Sequence, residues 1–82
     1  MGRYYFKIQD HDGVLQPDRA FEFPDLQHAK EEAKTLLAEM ALDGLPWEPV
    51  DSISVELQDG SRLPILTFRL VLQIEMHGPR EM

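Results

Sequence analysis

Residues 3–9 alternate: Tyr4, Phe6 and Ile8 fall on one face, and Arg3, Tyr5, Lys7 and Gln9 on the other. A period of two built from aromatic and β-branched residues predicts a strand with one buried side. The cluster Asp10-His11-Asp12-Gly13 follows, turn chemistry in which glycine supplies positive φ. Val14-Leu15 and Phe21-Glu22-Phe23 then read as one interrupted strand or two very short ones. Pro17 between them limits ladder pairing and suggests a sheet edge.

The period changes after Pro24. Leu26, Ala29, Ala33, Leu36, Leu37, Met40 and Ala41 recur at steps of three and four, which predicts one apolar stripe on a helix over about 25–43. Asp25 is the N-cap candidate, since its carboxylate can accept from the free amides of the first turn. Gly44 is the expected stop. Leu45-Pro46-Trp47-Glu48-Pro49-Val50 reads as a linker, and alternation resumes at 52–58. There Ile53, Val55 and Leu57 are expected inward, and Ser52, Ser54, Glu56 and Gln58 outward. Asp59-Gly60 signals a hairpin. The last strand is expected from about Leu63 to Glu75, with Leu66, Phe68, Leu70, Leu72 and Ile74 sharing a face.

These elements assemble into an α+β fold, ββαββ, with one mostly antiparallel sheet of about four strands and a single helix on one face. The domain is expected over residues 1–76, with 77–82 a flexible tail. The inward set is Tyr4, Phe6, Ile8, Val55, Leu57, Phe68, Leu70 and Leu72 against Leu26, Ala33, Leu36, Leu37 and Met40. The opposite face is mixed, and such a face meets either water or a partner.

Charge narrows the partners. With 8 Lys and Arg against 15 Asp and Glu, the net charge is -7. The cations are spread along the chain, so neither a nucleic-acid backbone nor an anionic membrane surface is an expected partner. No apolar run approaches the ~20 residues of a membrane-spanning helix. The chain has no cysteine, which removes disulfides, thiolate metal centres and thiol nucleophiles, and fits a cytoplasmic location.

Candidate chemistry is sparse. Asp10, Asp12 and Asp18 lie close in sequence and resemble half of a calcium loop, making them the metal candidates. Val14 and Leu15 then stand where ligands are needed, so a turn is the preferred reading. No histidine has a second histidine at i+4 or a zinc-hydrolase glutamate motif beside it, no serine lies in a nucleophile elbow, and the glycines are isolated. No catalytic residue and no cofactor is therefore expected, and the chain reads as a non-enzyme. Trp47, the sole Trp, either anchors a partner or closes one end of the core. The general burial of Trp favours the second reading.

The pattern Arg3-Tyr4-Tyr5-Phe6, Asp12-Gly13, Asp18, Glu22, Pro24-Asp25-Leu26, Ala29, Glu32-Ala33 and Asp59-Gly60 resembles a family of small uncharacterised domains common in alphaproteobacteria such as rhizobia. Those domains open with an R-Y-[YF]-F strand and carry a P-D-L helix start. The chain departs from them at Ala20, where glycine is usual, and in its leucine-rich last strand. The resemblance implies a fold and no activity. Phe23-Pro24-Asp25-Leu26 is also similar to a turn of HicB-type antitoxins, although those place a further strand before the helix.

The function expected is that of a small binding or regulatory module acting through a sheet face or edge, with an unidentified protein partner. The alternative is an acidic metal-binding or stress-related accessory protein using the Asp10–Asp18 loop. Ile65, Arg69, Val71, Tyr5 and Trp47 are the partner-binding candidates. From Ile65 to Ile74 the last strand alternates without a breaker, beyond the usual ~5–6 residues. Residues 52–58 are too few to cover it, so an edge is left for a second copy and a homodimer is expected.

Overall fold

The computed structural model describes residues 1–48 and 51–78. Strand β1 is Gly2–Asp10, β2 is Gly13–Leu15 and β3 is Phe21–Phe23. Helix α1 is Leu26–Asp43, followed by β4, Ser52–Gln58, and β5, Pro64–Val71. The five strands form one antiparallel sheet in the order β2-β1-β4-β5, with β3 also on β1. The region after the first turn thus makes two short strands. They share one edge of β1: Ile8 lies opposite Leu15, and Tyr4 opposite Phe21.

Helix α1 lies against the sheet mainly over β4. Asp25 caps it, its Oδ1 accepting from the His28 amide at 2.9 Å. Gly44 ends it in extended backbone, its N–H bonding Met40 O at 3.1 Å. Ala29 and Ala33 are fully buried, and their small side chains let the helix approach closely. Beneath them lie Phe6, Val55 and Leu57, with Leu36, Leu37, Met40, Leu66 and Phe68 packed around the margin. Phe21 and Phe23 extend this core, the Phe21 ring meeting Phe6 edge-on at 5.3 Å. An edge-to-face pair of this kind contributes about 0.5–1.5 kcal/mol beyond its burial.

Four expectations are corrected. Leu26 was expected inward but is 42% exposed, because the buried stripe begins one turn later, at Ala29. Ser54 and Gln58 were expected outward, on a face that meets water or a partner, but are buried. Strand β4 is central, so each is flanked on both sides: Ser54 by Gln9 and Arg69, Gln58 by Tyr5 and Pro64. The last strand stops at Val71 and not near Glu75. Val71 pairs with Ser52, the first residue of β4, so residues 72–75 have no neighbouring strand among the described residues. Trp47 closes nothing: it is 83% exposed, and Pro46 is the buried residue of its connection. Of the expected tail at 77–82, the part beyond Gly78 lies outside the described residues, as do Pro49 and Val50 of the linker.

Candidate functional site

The two sides of the sheet end differently. Beyond β1 lie only β2 and β3, three residues each, and short strands blunt an edge. Strand β5 is eight residues long and, among the described residues, has β4 on one side only. Its run PILTFRLV contains one charge, Arg69, and no acidic residue, in a chain of net charge -7. An edge strand presents a row of backbone N–H and C=O groups able to pair with another chain.

On the outer face of β5, Ile65 is 40% and Val71 52% exposed, and Arg69 is exposed between them. On the helix side, an open groove of about 540 Å³ follows the seam between α1 and β5, walled by Leu37, Ala38, Ala41 and Leu70. Ala41 links it to a second cleft of about 550 Å³, where Leu42, Leu45, Trp47 and Leu72 meet. Ile65, Arg69 and Val71 therefore share one face, while Trp47 stands on the other. The β5 edge is where the two faces adjoin. The periodicity of the helix could have revealed this groove, because Leu37, Ala38, Ala41 and Leu42 make its apolar surface wider than one stripe.

Tyr5 is placed differently. The Arg62 guanidinium lies 4.0 Å from its ring centroid, and Arg62 Nη2 also donates to Pro17 O at 3.1 Å and Asp18 Oδ1 at 3.3 Å. Tyr5 is thus engaged within the chain. Residue spacing gave no sign of Arg62, whose partners lie 45 and 44 residues away. Beside this cluster, the buried Gln58 donates through Nε2 to Glu56 at 2.8 Å. Its Oε1 has no partner among the described residues.

The metal candidates do not converge. Asp10 Oδ1 accepts from the Asp12 amide at 2.8 Å, a local turn. Asp18 turns instead to Arg62. A cleft of about 250 Å³ has Asp10, His11, Asp12 and Asp43 on its walls. Among the described residues, no three His, Cys, Asp or Glu are grouped so as to hold a metal ion. Likewise, no helix among them is long and apolar enough to cross a membrane.

Asp25 has its carboxyl held below the ordinary value of 3.8. The cause is first the side-chain bond to His28, whose Nδ1 lies 2.6 Å away, and then the His28 amide. This perturbation belongs to the helix cap and not to a site.

A helix on one face of a five-stranded antiparallel sheet defines a small α+β domain. Over residues 3–71 the chain matches the model of a family described as a domain of unknown function, DUF6894. The chain belongs to that family. No curated protein and no solved structure matches it.

Proposed function

We propose that this domain is a non-enzymatic interaction module that binds an extended segment by adding a strand to β5. The observation that carries this reading is the β5 edge itself, uncovered, free of acidic residues and bordered by the apolar α1–β5 groove. In strand addition, main-chain bonds supply affinity and pockets for alternate side chains supply specificity. Here Ile65, Arg69 and Val71 present the outer pockets, and Leu70, Leu72 and Trp47 the inner ones. The cysteine-free composition suits a reducing compartment, and we place the protein in the cytoplasm. Its resemblance to alphaproteobacterial domains makes a bacterial source part of the proposal.

Affinity capture from the source cell tests this reading. One bait is the chain as it stands, and the other carries Ile65→Lys and Val71→Lys. Both positions are exposed, so the blocked bait should retain its circular dichroism spectrum, while edge lysines discourage strand pairing. Proteins held by the first bait should be lost from the second. The same set on both baits would contradict strand addition.

A further inference from the structure

Resting on the strand-addition reading, we propose that the occupant of the β5 edge is a second copy of this chain. The two copies pair antiparallel about a two-fold axis at Leu72, so that Arg69 of each faces the partner's Glu75.

The segment after β5 supplies the first reason. Past Val71 the chain leaves β4, yet its alternation continues. Leu72, Ile74 and Met76 follow the face of Leu66, Phe68 and Leu70, and Gln73 and Glu75 follow that of Arg69 and Val71. Ile74 is 59% and Met76 86% exposed. A strand pattern with exposed apolar residues, and with no neighbouring strand among the described residues, is open to one from elsewhere.

Register supplies the second. In a two-fold antiparallel pair centred on a residue, positions equally far before and after the centre face each other, and faces are preserved. Centring on Phe68 sets Ile65 against Val71 and leaves residues 73–77 unpaired. Centring on Leu70 sets Glu75 against Ile65. Centring on Leu72 sets Arg69 against Glu75, Val71 against Gln73, Leu70 against Ile74 and Phe68 against Met76. Of the three, only this register joins opposite charges on the outer face and apolar residues on the inner face. Opposite charges directly across a strand pair are favourable and like charges are not.

The groove supplies the third. A two-fold axis perpendicular to the sheet keeps both helices on the same face. The partner's Ile74 then lies beside Leu70, a wall of the α1–β5 groove. Leu72 on the axis also lines the cleft with Trp47, so the two Trp47 side chains approach the dimer centre. The charge of each copy opposes association. Residues 64–75 carry only Arg69 and Glu75, which cancel. The family match ends at Val71, so the pairing draws on residues of this chain beyond the matched span.

Charge exchange with the full chain tests the register, read by sedimentation equilibrium. Arg69 and Glu75 are exposed, so single variants should fold. Arg69→Glu alone, or Glu75→Arg alone, should weaken the dimer about tenfold or more, since each places like charges opposite one another at two symmetric positions. The two together should restore it to within about threefold of the starting affinity. A second readout uses Leu72→Cys, the only thiol the variant would have. Its two copies should cross-link on mild oxidation, because Cα atoms facing across an antiparallel pair are ~4.5–5.5 Å apart, within disulfide reach. A dimer that neither shows charge rescue nor cross-links at Leu72 would overturn the register. A monomer at all concentrations would overturn the second copy as occupant. In that case, the blocked bait described above would still lose its captured proteins if strand addition holds, and would lose none if it fails.

Discussion

The Arg62 guanidinium lies 4.0 Å from the centroid of the Tyr5 ring, and reaches it from a backbone position with φ of 64°. A left-handed backbone costs a side-chain-bearing residue roughly 1–2 kcal/mol. Here the strain closes the turn in which Asp59 Oδ1 accepts from Ser61 N at 2.8 Å and Leu63 N at 3.0 Å. It also aims the guanidinium across the outer face, where Pro17 and Asp18 hold it. The β4–β5 turn is thereby tied to the segment between β2 and β3, over a cross-strand partner of the buried Gln58.

Arg62 therefore carries opposing contributions, and substitutions should separate them. Arg62→Ala keeps the strained φ and loses the stack and both bonds, so it should cost about 1–2 kcal/mol. Arg62→Gly loses the same contacts and relieves the strain, so it should be about 1 kcal/mol less damaging than the alanine. Urea unfolding measures both. Glycine as costly as alanine would show that the backbone at 62 stores no strain.

The Asp25 cap makes stability depend on pH in a defined direction. Its folded pKa is lowered by the His28 side chain and amide. The contribution is therefore fully present above the ordinary carboxylate range and is lost as pH falls through the folded value. Asp25→Ala should lower the unfolding temperature near neutral pH. The gap between parent and variant should then close as pH falls below 3.8. A gap that stays constant through that window would mean the carboxylate is not the capping group.

How much of this was legible in the sequence depended on which residues depend only on their neighbours. Asp25 and Gly44 mark the helix because capping is local, and Phe6, Val55 and Leu57 are inward because the strand period is local. Leu26, Ser54, Gln58 and Trp47 were misplaced because their burial depends on what lies across from them. A serine on a central strand is covered, while a tryptophan beside a buried proline is left outside. The last strand read as longer than it is because alternation records a preference for pairing and carries no information on where β4 begins. Arg62 was invisible because its partners come from a distant segment. Of the candidate surface, Ile65, Arg69 and Val71 could be read from alternation. The helix wall of the groove was also readable, from Leu37, Ala38, Ala41 and Leu42, but that Leu70 of β5 forms its other wall required the tertiary fold.

Close approach of α1 to the sheet predicts an asymmetry along the helix. Ala33 is fully buried and Leu26 is 42% exposed. Ala33→Leu should cost about 1–3 kcal/mol through overpacking. Leu26→Ala should cost well below the ~2–5 kcal/mol of a core truncation. Chemical denaturation with the order of these two reversed would contradict the helix placement.

The acidic turn is expected to behave as a turn. Titration with calcium or manganese, followed in amide spectra, should leave Asp10, Asp12 and Asp18 unshifted at micromolar ion. Joint shifts of all three would contradict the separation imposed by the Arg62–Asp18 contact.

If a second copy pairs with it, the β5 edge is an occupied interface in solution. In a strand, amides point alternately to either side, so those from Ile65 to Val71 alternate between facing β4 and facing away. Hydrogen exchange measured residue by residue, at concentrations from about one to several hundred micromolar, tests the claim most directly. The outward-facing amides should become as slow as those bonded to β4 as concentration rises. Outward amides that exchange freely at every concentration, beside slow inward ones, would contradict it.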